Sequence, residues 1–252
     1  MSTEERQQRI GQYLQKVEFA SLEELAQHVD ASASTVRRDL TALEATGIVR
    51  RTHGGARISN PPTDEYTFSA RDSHQVAEKE AIARACADLI LPNESVIIDV
   101  GTTAFHVARL LEPKKPQIIT NSLPVANLFA SSNMVELVLT GGVIYPRIGV
   151  LMGPLAVDAF SKINADAAIM GAGGITLEGI TNSHALLIEM QRQMMKSARQ
   201  VIFCLDHTKF NRKSFAFLCD LDNIDTIVTD ADAPADLVQA LRAHDIEVVL
   251  AK

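Results

Sequence analysis

The sequence predicts an α/β protein in two parts: a winged helix-turn-helix over residues 1–58 and a Rossmann-like α/β unit over residues 75–252, with a linker at 59–74. Three observations predict it. Residues 20–39 read as two short helices joined by a tight turn. Short β-branched runs alternate with helical stretches from about Glu94 onward. Between them, Ser59-Asn-Pro-Pro-Thr-Asp-Glu has no periodicity and contains Pro61-Pro62.

Taken in order, Thr3 can cap a first helix running to about Lys16, with Ile10, Tyr13, Leu14 and Val17 on one face. Ser21 followed by Glu24 is a capping box and starts a second helix, whose Leu22, Leu25, Ala26 and Val29 share a side. Asp30-Ala31 is the turn. Ser32 caps a third helix that runs to about Thr46 and stops at Gly47. Val36, Leu40 and Leu43 must face the core, which leaves Ser34, Thr35, Arg37, Arg38 and Thr41 on other faces. Residues 47–58 look like two strands joined at Gly54-Gly55, a wing carrying Arg50, Arg51 and His53. Arginines here can reach guanine edges or phosphates. The candidate DNA contacts are Ser32, Ser34, Thr35, Arg37, Arg38, Arg50, Arg51 and His53.

A helical run from Gln75 to Leu91 follows, containing Lys79. The candidate strands are Ser95–Val100, Gln117–Thr120, Val135–Leu139, Ala167–Met170, Gln200–Leu205, Thr226–Thr229 and Glu247–Leu250, in a largely parallel sheet. In such sheets ligands bind beyond the carboxyl ends of the strands. Those ends carry Asp99 with Gly101-Thr-Thr103, Thr120-Asn-Ser122, Thr140-Gly-Gly142, Gly171-Ala-Gly-Gly174 and Asp206-His-Thr-Lys209. Glycines admit a close backbone, hydroxyls and amides donate, and a helix N-terminus favours an anion. The candidate effector residues are Asp99, Gly101, Thr102, Thr103, Thr120, Asn121, Ser122, Gly141, Gly142, Gly171, Gly174, Asp206 and Lys209. Lys209 supplies a charge for phosphate and Asp99 can accept from a hydroxyl, so a phosphorylated small polyol or sugar is the expected ligand.

Composition narrows the function. The net charge of -7 argues against a protein that coats nucleic acid along its whole surface. Residues 33–57 nevertheless hold five arginines against Asp39 and Glu44, a local +3. Cys86, Cys204 and Cys219 lack CxxC spacing and read as small buried hydrophobes. The charged start Met1-Ser-Thr-Glu-Glu-Arg predicts no signal peptide, and no apolar run is long enough to span a bilayer. The expectation is a cytoplasmic protein with no metal and no cofactor.

These motifs resemble the DeoR family of bacterial transcriptional regulators. The resemblance rests on Ser21-Leu-Glu-Glu-Leu25, Ser32, Thr35-Val-Arg-Arg-Asp-Leu40, Leu43 and Arg51-Thr-His-Gly-Gly-Ala56. It continues through Asp99, Gly101-Thr-Thr103, Thr120-Asn-Ser122, Gly141-Gly142, Gly153, Gly179, Asp206 and Lys209-Phe210. It implies an operator-binding winged helix-turn-helix that usually represses. It also implies a sensor domain similar in fold to ribose-5-phosphate isomerase and the CoA transferases. That domain would sense phosphorylated sugars, carry oligomer contacts, hold phosphate near Gly101-Thr-Thr103 and Lys209, and release DNA on binding. The family often places an Arg and a Lys where Arg71 and Lys79 stand. Many members have a Glu shortly before a Lys-Arg pair in the helix after Gly179; here Leu187 and Gln191 stand at the Glu and Lys positions.

The predicted function is a repressor of a carbohydrate or polyol catabolic operon, acting as a homo-oligomer on operator DNA and relieved by a phosphorylated metabolite. Two alternatives follow from the same residues: an isomerase-like sugar-phosphate enzyme with a DNA-binding module, or a constitutive DNA binder with a vestigial pocket. The isomerases this domain resembles carry an Asp-Gly-Ala-Asp-Glu run and a Lys-Gly-Gly-Gly stretch, and neither occurs in this sequence.

Overall fold

The computed structural model describes residues 2–17, 19–45, 49–52, 54–58 and 67–251. The chain divides into two compact units, Met1–Ala70 and Arg71–Lys252. The expected helix stop at Thr46-Gly47, His53 of the wing, and linker residues 59–66 with Pro61-Pro62 lie outside the described residues.

The first unit runs α1 (Thr3–Val17), β1 (Phe19–Ser21), α2 (Leu22–His28), α3 (Ala33–Ala45), β2 (Val49–Thr52) and β3 (Gly55–Ile58). The capping box is present: Ser21 Oγ accepts from Glu24 N at 3.2 Å, and Ser21 N donates to the Glu24 carboxylate at 2.7 Å. Ser32 Oγ accepts from Thr35 N at 3.3 Å at the start of α3. Between α2 and α3, Asp30 takes a left-handed φ of 47°, a conformation that Asp tolerates better than most residues. Ile10, Leu14, Leu25, Val29, Val36, Leu40, Leu43 and Val49 pack into one small core, as the helical spacing requires.

Ser2, not Thr3, caps α1, its Oγ accepting from Glu5 N at 3.1 Å, and two further features of this unit differ from the sequence expectation. β1 adds a third strand, giving the order β1-β3-β2 with both pairings antiparallel. Gly55 belongs to β3, where it pairs with Thr52 of β2. A side chain at Gly55 would stand 2.1 Å from Ala20 O of β1, so only glycine lets the two strands meet. The second feature is Asp39, which is buried and held by Arg6 Nε at 2.5 Å and Gln7 Nε2 at 3.3 Å. The acid of the Arg-Arg-Asp run thus ties α3 to α1.

The second unit opens with α4 (Phe68–Asp72), which straddles the division, and α5 (Val76–Leu89). It continues with β4 (Ser95–Ile98), α6 (Thr102–Leu111), β5 (Gln117–Thr120), α7 (Leu123–Phe129), β6 (Glu136–Leu139), β7 (Val143–Tyr145), β8 (Val150–Met152) and α8 (Pro154–Ser161). It ends with β9 (Ala165–Met170), β10 (Gly174–Thr176), β11 (Gly179–Asn182), α9 (Ala185–Lys196), β12 (Ala198–Cys204), β13 (Ala216–Cys219), β14 (Thr226–Thr229), α10 (Ala235–Ala243) and β15 (Glu247–Leu250).

Each of the seven expected strands lies in one parallel sheet of order β15-β14-β12-β9-β4-β5-β6. Successive residues feed opposite faces. Val96 and Ile98 pack under α5, α6 and α7, while Ile97 packs with α8, α9 and α10. Both faces are covered, which is why the strands read as near-continuous apolar runs. The strand order reverses between β4 and β9, which opens a crevice at their carboxyl ends of the kind where open α/β sheets generally bind ligands. The antiparallel sheet β10-β11-β13 and the hairpin β7-β8 were not expected; Gly141-Gly142 and Gly171-Ala-Gly-Gly174 at their starts read as loops. Among the described residues no helix is long and apolar enough to cross a membrane.

The first unit has a core of its own, so damage there should stay local. Leu14→Ala should cost roughly 2–5 kcal/mol by opening a cavity in a core with few residues to collapse into it. Urea unfolding followed by circular dichroism should show the transition of the first unit moving to lower denaturant and that of the second unit unmoved.

Candidate functional site

The first unit presents one chemically distinct surface. On α3, Val36, Asp39, Leu40 and Leu43 point inward, and Ser34, Arg37, Arg38 and Thr41 are exposed. Ser32 Oγ lies 2.9 Å from both Ser34 Oγ and Thr35 Oγ1, a hydroxyl cluster at the helix start. On β2 the pattern is one buried valine followed by exposed Arg50, Arg51 and Thr52. Arg51 is anchored: its N and Nε donate to the Glu44 carboxylate at 2.9 and 2.6 Å, and Nη1 donates to Thr41 Oγ1 at 3.1 Å. The Arg51 backbone N–H, then its guanidinium, hold the Glu44 carboxyl below its usual range. The wing strand is thereby tied to α3, and the exposed cations of both share one unit.

The second site is at the sheet reversal. Asp99, directly after β4, is buried; its Oδ2 accepts from Gly171 N at 3.1 Å and from Gln191 Nε2 at 2.8 Å. Gly101 and Gly171 face each other: a side chain on Gly101 would meet Gly171 Cα at 3.5 Å, an ordinary contact. Gly101 opens α6 without a side-chain cap, and Thr102 and Thr103 are buried in its first turn. Asp206, after β12, accepts from Thr208 N at 3.0 Å and stands 3.8 Å from Lys209 Nζ.

Cations close the site. Lys79 Nζ donates to the carbonyls of Arg71 and His74, so an inward lysine of α5 seals the carboxyl end of α4. Burial pushes the Lys79 ammonium below its ordinary value, and nearby Asp206 and Asp72 oppose that. Arg71 is also pushed down by burial, opposed by Asp99 and Asp72. His106 Nε2 of α6 lies 3.0 Å from Asp72 Oδ1. Burial pushes the Asp99 carboxyl above its usual range, against the pull of the Val100 and Gly171 N–H groups, the Gln191 amide and the Arg71 charge.

Six buried side-chain atoms have no hydrogen-bond partner among the described residues: Arg71 Nε and Nη2, Asp99 Oδ1, Asn121 Oδ1, Thr140 Oγ1 and Thr229 Oγ1. Asp99, Asn121 and Thr140 follow β4, β5 and β6, and Thr229 ends β14. Each unmet group costs about 1–3 kcal/mol, and native interiors hold few of them. Four of the six stand at the carboxyl ends of strands in one sheet, and the other two belong to Arg71 of α4.

Asp99, Gly101, Thr102, Thr103, Gly171, Asp206 and Lys209 therefore gather at the ends of β4, β9 and β12. The other sequence candidates make bonds or close contacts within the fold, with Asn121 Oδ1 left unpartnered. Thr120 Oγ1 donates to Ile98 O at 2.7 Å, Ser122 Oγ caps α7, and Asn121 Nδ2 donates to Leu151 O at 3.0 Å. Gly142 has φ of 138° with Met152 O 2.6 Å from any added side chain, and Gly174 similarly abuts Arg212 O at 2.1 Å; Gly141 precedes the same hairpin. Asp72, His106 and Gln191 were not anticipated as site residues. Lys79 and Gln191 share one legible signal: a polar residue inside an otherwise apolar helical stripe, beside Ile82, Ala83 and Cys86 in α5 and beside Leu187, Ile188 and Met194 in α9. His207, Asp230 and Asp232 also converge, but the Asp230 carboxylate already accepts from His207 N at 2.8 Å and Asp232 N at 3.0 Å. The three cysteines are free and buried, and burial pushes Cys219 up to about 12, far from reactivity.

Comparison with known proteins gives matches along most of the chain. Residues 6–61 match the DeoR-like helix-turn-helix domain, and residues 74–231 match the DeoR C terminal sensor domain. The chain is 32% identical to the L-fucose operon activator of Haemophilus influenzae, over 97% of this chain and 99% of that protein. It is 31% identical to the glycerol-3-phosphate regulon repressor of Escherichia coli, over 99% of this chain and 100% of that protein. It is 33% identical to the HTH-type transcriptional regulator GolR of Listeria innocua, over 90% of each. Among solved structures, ribose 5-phosphate isomerase a from Methanocaldococcus jannaschii aligns with 52% of this chain and 53% of that one, at 15% identity and a TM-score of 0.39.

Asp99 gives a stability signature with a definite sign. Its carboxyl is raised in the fold, so the native state binds its proton more tightly than the unfolded chain. The stability this contributes is full below the unfolded value of 3.8 and is lost as pH rises through the raised folded value. Asp99→Asn should therefore stabilise the ligand-free protein, and by more at about pH 7 than at about pH 4, in urea midpoints measured at both.

Proposed function

We propose that this chain, which belongs to the DeoR family of transcriptional regulators, is a ligand-responsive repressor of a carbohydrate or polyol catabolic operon. Its α3 would enter the major groove, with Arg37, Arg38 and Ser34 toward base edges and Ser32 and Thr35 at the helix start. The wing arginines Arg50 and Arg51 would contact phosphate or the minor groove. A single winged module buries limited DNA surface, so binding as a homo-oligomer to repeated half-sites in the cytoplasm fits this reading.

The effector would be a phosphorylated sugar or polyol. The observation that carries this is the unmet buried hydrogen bonding of Arg71 and Asp99 in one site: two N–H donors for an anion and one carboxylate oxygen for a hydroxyl. Lys209 and the first turn of α6 add further attraction for a phosphate. Arg71 lies in α4, the first described helix after residues 59–66, so a ligand that engages it acts on the segment leading to the DNA-binding unit. An effector shifts DNA occupancy only by its differential affinity for the two states. A sugar-phosphate isomerase would need a carboxylate poised over substrate carbon. Here Asp99 is held by Gly171 and Gln191, and Asp206 by Thr208 and Lys209, which favours binding over proton transfer.

Two tests follow. Arg37→Ala or Arg38→Ala should weaken operator binding by about 1–3 kcal/mol where the lost contact is bidentate to a base. Gel-shift titrations with the chain's own upstream DNA would read this, and unchanged affinity in both variants would remove α3 as the recognition helix. A thermal-shift screen against sugar, polyol and nucleoside phosphates should find a selective stabiliser, since ligand that binds only the native state raises the melting temperature. That shift should vanish in Lys209→Ala. A panel without any hit would refute the phosphate reading.

A further inference from the structure

We infer that Gln191 is the positioning residue for ligand selection: by fixing one oxygen of Asp99, it leaves the other as a single directed acceptor for a ligand hydroxyl. This deepens the reading above and rests on it. Gln191 is fully buried on the inward face of α9, between Leu187 one turn before it and Met194 and Met195 after it. An amide in such a stripe is unfavourable unless every group is bonded. Here the bonds run in one direction. Ser183 N donates to Asn182 Oδ1 at 2.7 Å, so Asn182 Nδ2 faces Gln191 and donates to its Oε1 at 3.0 Å. That in turn aims Gln191 Nε2 at Asp99 Oδ2, 2.8 Å away, with Gly171 O at 3.4 Å on the other side.

The polarity of this relay starts at a backbone N–H, which cannot flip. Turning either amide would set oxygen against oxygen and nitrogen against nitrogen. The consequence is an asymmetric carboxylate. Oδ2 takes the Gln191 amide and Gly171 N, while Oδ1 is buried without a partner among the described residues. A lone buried carboxylate oxygen selects a donor, and beside the unpartnered Arg71 N–H groups the matching ligand carries an anion and a hydroxyl. Gln191 touches no ligand itself; its effect passes through Asp99.

Calorimetric titration of the full chain tests this with glycerol 3-phosphate and ribitol 5-phosphate, against propyl phosphate and inorganic phosphate as hydroxyl-free references. The parent should bind a polyol phosphate at least about tenfold more tightly than propyl phosphate, the range of a hydrogen bond to a charged group. In Gln191→Met that ratio should collapse toward one, with both hydroxyl-free affinities held within about twofold. A ratio preserved in folded Gln191→Met overturns the inference, and so does a proportional loss for every ligand, which would make Gln191 merely structural. Should Gln191→Met fail to fold by circular dichroism, Asn182→Ala frees the Gln191 amide to turn. It must lower the same ratio, and a preserved ratio there overturns the inference equally. A parent that binds all phosphates alike, with binding lost in Arg71→Ala, overturns the role of Gln191 but sustains the phosphate site. A parent that binds none of them overturns both.

Discussion

The crevice of the second unit is organised around a carboxylate buried where the sheet reverses direction. Asp99 sits in the crevice between β4 and β9, where backbone N–H groups, an amide and a guanidinium converge on it. Such a position is unfavourable for a charge in isolation. It is sustained because the surrounding elements supply donors from separate parts of the chain: Gly171 after β9, Gln191 from α9, and the charge of Arg71 from α4. The strand order, the Gly101–Gly171 approach and the inward amide of α9 meet at this one group.

Much of this was legible in the sequence, and the reasons differ by element. The parallel strands were readable because they are buried on both faces, which leaves continuous runs such as Ser-Val-Ile-Ile and Thr-Ile-Val-Thr between helical periods. The capping box at Ser21 was readable because its chemistry is local to four residues. The strands β1, β10, β11 and β13 were not, because they are only three or four residues long, and β1 and β13 are held by partners distant in sequence. Gly55 shows the limit well: it looked like a turn residue, yet its task is to let Ala20 of another strand come close.

The site divides in the same way. Strand-end residues such as Asp99 and Lys209 could be named as candidates because the position of a ligand in an α/β sheet is a general rule. The rule does not say which strand-end groups stay available. Thr120 and Ser122 carry suitable hydroxyls, and the fold uses both for its own hydrogen bonds. Nor does it reveal residues that reach the crevice from helices, where Lys79 and Gln191 are visible only as misplaced polarity. In the first unit Asp39 belongs to the same class: an acid between two arginines reads as surface charge, and packing puts it inside against Arg6.

On the proposed reading, the unmet groups would let a stable sensor remain responsive. A ligand at about a hundred times its Kd returns about 2.7 kcal/mol to the state that binds it. That is the size of one or two unmet buried hydrogen bonds, at about 1–3 kcal/mol each. Arg71 and Asp99 together leave more than one such bond open, so on the proposed reading the ligand-free crevice would sit above its bound state by an amount that a metabolite can supply. Replacing these groups with apolar residues would make the unit more stable and remove its reason to prefer one arrangement over another. Stability lost at the carboxyl edge is thus the quantity through which a ligand can act, and Arg71 places part of it in the first described helix after residues 59–66.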